Sequence, residues 1–99
     1  MKVNLLKKIG IIGFGNMGSV ISQKLAEQKD EYEVFVFDIE KSKLANLGRI
    51  KAAKDSRDLA SQVEVIILAV KPQDFNHILK EIKGSTANKL IISIAAGIS

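Results

Sequence analysis

Seven of the eight residues from Val63 to Val70 are apolar, with Glu64 the exception. A strand with one wet face would alternate apolar and polar side chains. A near-continuous apolar run of this length instead marks a strand covered on both faces, as at the centre of a parallel sheet. Parallel neighbours need crossover connections, usually helices, and the rest of the chain supplies alternating candidates. Ile9 to Ile12 is β-rich and too short for a helix, so it reads as a buried strand. After a glycine turn, Met17, Val20, Ile21 and Leu25 recur at helical spacing. Val34 to Phe37 is a second strand. Glu40 to Leu47 reads as a short helix, with Gly48 placed to end it. Ile50 to Ala53 is a weak third strand, and Asp55 or Ser56 caps a brief helix through about Gln62. Pro72 follows the central strand and opens a helix, with Phe75, Ile78, Leu79 and Ile82 on one stripe and Gly84 as its stop. Lys89 to Ile94 is the last strand.

Between the first strand and the first helix stands Gly13-Phe14-Gly15-Asn16-Met17-Gly18. Three glycines at this spacing arise by chance in roughly 3% of hundred-residue stretches at average glycine usage. The context raises the weight of the motif: it follows a strand, opens a helix, lies near the amino terminus, and Asp38 ends the second strand twenty residues past Gly18. These are the conditions of the dinucleotide fingerprint. Gly13 lets the chain turn sharply, Gly15 lets a diphosphate approach the backbone, and Gly18 lets the helix lie close to the strand. The amides of Asn16 and Met17 and the helix dipole then face the phosphate charge. Asp38 accepts hydrogen bonds from a ribose 2′-hydroxyl. A carboxylate there leans the cofactor from NADPH towards NADH, because a 2′-phosphate meets like charge, although Lys41, Ser42 and Lys43 follow and offer it partners.

The alternation and the motif together predict an α/β fold. It is a Rossmann-like three-layer αβα sandwich on a parallel sheet of about five strands in the order 3-2-1-4-5. Ninety-nine residues suffice for one domain, taken as 1–99, with a modest stability margin. The sequence halts directly after a strand, with no helix to cover it. The expectation is therefore a cut-off domain whose uncovered face is partly apolar and promotes self-association.

Composition narrows the function classes. There are no cysteines and His77 is the only histidine, so no metal site is expected. The net charge of +4 comes from lysines scattered from Lys2 to Lys89, and the five aromatic residues do not alternate with basic ones. Nucleic acid is therefore not an expected partner. No apolar run approaches the ~20 residues of a membrane span, and Met1 to Lys8 lacks the apolar core of a signal peptide. A cytoplasmic location is expected.

Three segments in order, Ile11-Ile12-Gly13-Phe14-Gly15-Asn16-Met17-Gly18, Ala69-Val70-Lys71-Pro72-Gln73 and Ile92-Ser93-Ile94-Ala95-Ala96-Gly97-Ile98-Ser99, resemble the pyrroline-5-carboxylate reductase family. The resemblance covers only that family's amino-terminal cofactor domain. It implies NAD(P)H-dependent reduction of the cyclic imine pyrroline-5-carboxylate to proline. It also implies that Ala69, Val70, Lys71 and Pro72 lie along the cofactor at the end of the fourth strand, a place the switch-point rule reaches independently. Ala95, Ala96 and Gly97 would border the nicotinamide. The family's helical domain, which builds its dimer and much of the imine pocket, has no counterpart in these residues, so a homo-oligomeric parent is expected and the fragment alone is expected to be inactive.

No residue is assigned as proton donor. His77 lies off the apolar stripe of its helix and reads as solvent-facing, and Ser93 and Ser99 have no His or Asp arrangement that would make a nucleophile. Two other readings stay open: another reductase such as a deazaflavin-dependent NADP reductase, and a nucleotide-sensing module without chemistry.

Overall fold

The computed structural model describes residues 6–94. Five strands, β1 (Lys7–Ile12), β2 (Tyr32–Phe37), β3 (Lys51–Ala52), β4 (Val65–Leu68) and β5 (Leu90–Ser93), form one sheet in the order β3-β2-β1-β4-β5. Every pairing is parallel, as the apolar run around β4 required. Helices α1 (Asn16–Ala26), α2 (Ser56–Gln62) and α3 (Phe75–Ile82) make three of the four crossovers, and the β2-to-β3 connection carries only a 3-10 turn.

The pleat divides the core in two. Ile9, Ile11, Val34, Val36 and Ile67 pack with Ile21 and Leu25 of α1 on one face. Ile12, Phe35, Ile66 and Leu68 pack with Leu59 of α2 and Ile82 of α3 on the other. Alternate residues of β1, β2 and β4 thus serve opposite layers. This double coverage is why those strands read as continuous apolar runs.

Two local expectations are corrected. Glu40 to Leu47 is not a helix: only Lys41–Lys43 forms a single 3-10 turn. Asn46 (φ 57°) and Gly48 (φ 61°) both take the left-handed conformation, which no continuing helix passes through. Leu44 and Leu47 still reach the α1-side core from this looser path, so packing is satisfied without a helix. Pro72 opens a 3-10 turn, Pro72–Asp74, and α3 begins only at Phe75. Within α3, Phe75, Ile78 and Ile82 meet the core, whereas Leu79 is exposed.

β5 carries exposed apolar side chains. β5 sits beside β4 with Leu90 level with Val65 and Ile92 level with Ile67. On the α1 side these two β5 residues remain 58% and 40% exposed. Helix α1 packs on β2 and β1. No helix of the described residues is long and apolar enough to cross a membrane.

Candidate functional site

The order of the sheet reverses at β1: β2 lies on one side and β4, reached later, on the other. The carboxyl ends of β1 and β4 therefore open a crevice at a switch point, the usual ligand position in open α/β sheets. At that edge the Gly13 amide donates to the Phe37 carbonyl at 2.7 Å and the Ala69 amide to the Ile12 carbonyl at 2.9 Å. The end of β1 is pinned on both sides.

Gly13 has φ +103°, and a Cβ there would come within 2.3 Å of the Ala69 carbonyl oxygen. Any side chain is barred by conformation and by space. A Cβ on Gly18 would lie 1.8 Å from the Gly13 carbonyl oxygen, so only glycine lets α1 close on the turn. Gly15 differs from both. A Cβ there meets nothing within 4 Å, so its surroundings are open space.

Gly15 is the N-cap of α1 without any side-chain cap, and the first turn carries no acidic residue. The first helical bond runs from the Ser19 amide to the Gly15 carbonyl at 2.9 Å. The amides of Asn16, Met17 and Gly18 precede it and have no intrahelical acceptor. Their N–H groups and the positive helix end form a neutral-backbone donor set suited to an anion.

Asp38 follows β2 directly and is 9% exposed. Its Oδ2 accepts the Phe14 amide at 2.7 Å and its Oδ1 accepts the Glu40 amide at 2.8 Å. The carboxylate thus joins the glycine turn to the end of β2. It is not a helix cap. Lys41, Ser42 and Lys43 stand exposed on the adjoining 3-10 turn, and Lys43 faces Glu40 at 3.9 Å.

Ala69 is buried, and Val70 is half-buried with its Cγ1 3.0 Å from where a Gly13 Cβ would stand. Both therefore flank the glycine turn. Lys71 and Pro72 follow, exposed, with Lys71 extended (ψ 149°) as a residue before proline must be. Ala95, Ala96 and Gly97 lie outside the described residues. His77 is exposed and faces Glu81 at 3.6 Å. Two open recesses, of about 470 and 400 Å³, lie beside the end of α1 and the start of β2. They border Ala26, Lys29 and Arg49 at the opposite end of the sheet and take no part in this site.

Sequence reasoning placed Gly13 to Gly18, Asp38 and Ala69 to Pro72 at one edge, and the fold brings them to one edge. It missed the bond from Phe14 to Asp38. That bond follows from the parallel register: Ile12 pairs with Phe37, so the next residues, Gly13 and Asp38, stand side by side.

Residues 8–97 match the family model for NADP oxidoreductase, coenzyme F420-dependent. A pyrroline-5-carboxylate reductase of Methanosarcina acetivorans is 37% identical over 103 residues, covering 93% of this chain and 36% of the relative. The solved structure of a pyrroline-5-carboxylate reductase from Coxiella burnetii aligns with a TM-score of 0.80 at 29% identity, over 96% of this chain and 37% of that one. The Plasmodium falciparum pyrroline carboxylate reductase, solved with NADP bound, aligns with a TM-score of 0.78 at 26% identity, over 98% of this chain and 36% of that one. The chain spans about a third of the length of the curated relatives it matches, 36% for the Methanosarcina protein. With the model matched from residue 8 to residue 97, the chain belongs to the NADP oxidoreductase, coenzyme F420-dependent family, and over this region it is similar to pyrroline-5-carboxylate reductases.

Proposed function

We propose that this chain holds a nicotinamide dinucleotide across the β1–β4 crevice as the cofactor domain of a pyrroline-5-carboxylate reductase. The open space at Gly15, in front of an uncapped helix N-terminus, carries the reading. A diphosphate fits there because its charge meets backbone donors and no side chain. The Asp38 carboxylate, already fixed by two amides, keeps further lone pairs for a ribose hydroxyl.

Hydride for the imine carbon comes from the bound cofactor. This chain binds and orients: Gly13, Phe14, Gly15, Asn16, Met17 and Gly18 at the diphosphate, Asp38 at the ribose, and Ala69, Val70, Lys71 and Pro72 along the nicotinamide half. Ala95 and Gly97 border the nicotinamide ring in the same proposal. In a protein of the relatives' length, the remaining two thirds would supply the imine pocket and the contacts of a homo-oligomer, working in the cytoplasm.

NADH is favoured over NADPH. A 2′-phosphate would sit against the Asp38 carboxylate, which two hydrogen bonds hold in place. Lys43 is partly committed to Glu40, which weakens the compensation it offers. Parallel titration of the 99-residue chain with NADH and NADPH tests both parts. Tighter NADH binding is expected. Tighter NADPH binding overturns the preference, and binding of neither overturns the site.

The description of the matched family favours one second reading, a deazaflavin-dependent NADP reductase. A family-length protein bearing these residues separates the two. Oxidation of NADH by pyrroline-5-carboxylate supports the imine reductase, and reduction of coenzyme F420 with no imine turnover supports the alternative.

A further inference from the structure

The connection from β2 to β3 carries one 3-10 turn where a crossover helix would fill space beside α1. Two recesses of about 470 and 400 Å³ open there, and they adjoin, sharing Ala26, Lys29 and Arg49. Leu47 and Ile50 give the first an apolar lining, and Val34 and Leu6 the second. The shared cations stand on two turns with fixed backbones. The Glu31 amide donates to the Gln28 carbonyl at 2.9 Å, closing the turn that presents Lys29. The Ile50 amide donates to the Leu47 carbonyl at 3.1 Å, and Gly48 at φ 61° shapes this turn, which presents Arg49. Among the described residues, neither cation is paired with a carboxylate.

We infer that these recesses form a second ligand site, for a small monocarboxylate with an apolar body. The charges fix where its carboxylate goes. Lys29 and Arg49 line both recesses, whereas Glu27 lines only the first and Asp30 and Glu33 only the second. Glu33 is already bonded to Lys51. The anion therefore belongs at the shared boundary, between the two cations. The Arg49 guanidinium can meet a carboxylate with two parallel hydrogen bonds, and Lys29 adds a point charge. In each recess the cations outnumber the carboxylates by one. One negative charge matches that surplus, and a second would meet the acidic outer ends. The apolar body leaves water for the apolar lining. The site is separate from the dinucleotide crevice. It lies at the start of β2, and the crevice lies beyond its sixth residue, about 20 Å of strand away.

The test titrates the 99-residue chain with three probes and follows its backbone amides by NMR. The probes are 3-phenylpropanoate, its neutral amide 3-phenylpropanamide, and acetate, which has the charge without the ring. Saturable shifts with 3-phenylpropanoate are expected at Ala26, Lys29, Arg49 and Ile50, with Gly13 to Gly18 unmoved. Each of the other two probes is expected to bind about tenfold more weakly, one lacking the charge and the other the apolar surface. Arg49→Gln is expected to weaken 3-phenylpropanoate about tenfold, the loss of its charge-assisted bonds, and Lys29→Gln less. Thermal midpoints of both variants should match wild type, because both side chains are exposed.

Absence of saturable shifts with 3-phenylpropanoate overturns the site. Equal affinity for the acid and the amide overturns it, because the cations then select nothing. Equal affinity for the acid and acetate overturns it as well, because the apolar lining then contributes nothing. Wild-type binding by both Arg49→Gln and Lys29→Gln, or shifts confined to Gly13 to Gly18, places the ligand elsewhere. None of these outcomes bears on the dinucleotide crevice, which the NADH titration tests separately.

Discussion

The Phe14 amide donates to Oδ2 of Asp38 across 2.7 Å, although the two residues are 24 positions apart. This bond ties the glycine turn after β1 to the end of β2. Asp38 spends its other oxygen on Glu40, so one carboxylate braces two turns before any ligand arrives. The residue that sequence reading assigns to the ribose is therefore also a positioning residue for the phosphate turn.

Removing that carboxylate should cost stability as well as binding. In Asp38→Ala the part-buried Phe14 amide loses a charged acceptor, a change worth about 1.5–3 kcal/mol. Asp38→Asn keeps one acceptor for Phe14 and should lose roughly half as much. Urea unfolding measures both. A midpoint for Asp38→Ala equal to wild type would show that the brace holds nothing.

Gly15 and Gly18 should separate binding from folding. A methyl on Gly18 would stand 1.8 Å from the Gly13 carbonyl oxygen, so α1 must move. Gly18→Ala should lose about 1–3 kcal/mol or more. Gly15 has φ −82° and open space around its missing Cβ. Gly15→Ala should cost no more than about 1 kcal/mol, the loss of a glycine at the N-cap, yet lose about tenfold or more in NADH affinity, since the methyl stands where the diphosphate comes. Unchanged NADH binding by Gly15→Ala would place the diphosphate elsewhere.

Asp55 caps α2 by accepting the Asp58 amide at 2.7 Å. Asp55→Ala should destabilise the chain by about 0.5–2 kcal/mol. Cofactor affinity, read by NADH fluorescence, should stay at the wild-type value because Asp55 holds the helix and not the glycine turn. A melting temperature unchanged from wild type would contradict the cap.

The exposed pair on β5 should govern the solution behaviour of the chain. Leu90 and Ile92 extend an apolar face that α1 does not reach. Replacing both with lysine should reduce self-association in light scattering and shift the unfolding free energy by no more than about 0.5 kcal/mol. A wild-type chain that stays monomeric at high concentration would remove the premise.

Elements with a strong periodic signal were legible without coordinates. The β4 run and the glycine motif located the sheet centre and its crevice, because burial on two faces and a tight strand-to-helix turn each need particular residues in sequence. Boundaries shifted where packing competed with local preference. Val63 and Ala69 are buried like strand residues yet lie outside β4, whose ladder covers Val65–Leu68. The segment after Asp38 misled, because Leu44 and Leu47 reach the core from an irregular path as well as from a helix. The left-handed Asn46 decides between them.

What the residues settle by themselves is local: alternation of strands and helices, the turn at Gly13, and the helix that begins behind Gly15. These depend on side-chain size, period and backbone freedom within a few positions. What the carboxylate of Asp38 holds emerged only in three dimensions. It depends on the parallel register that sets Phe37 against Ile12, a pairing between distant segments that no short stretch of sequence encodes.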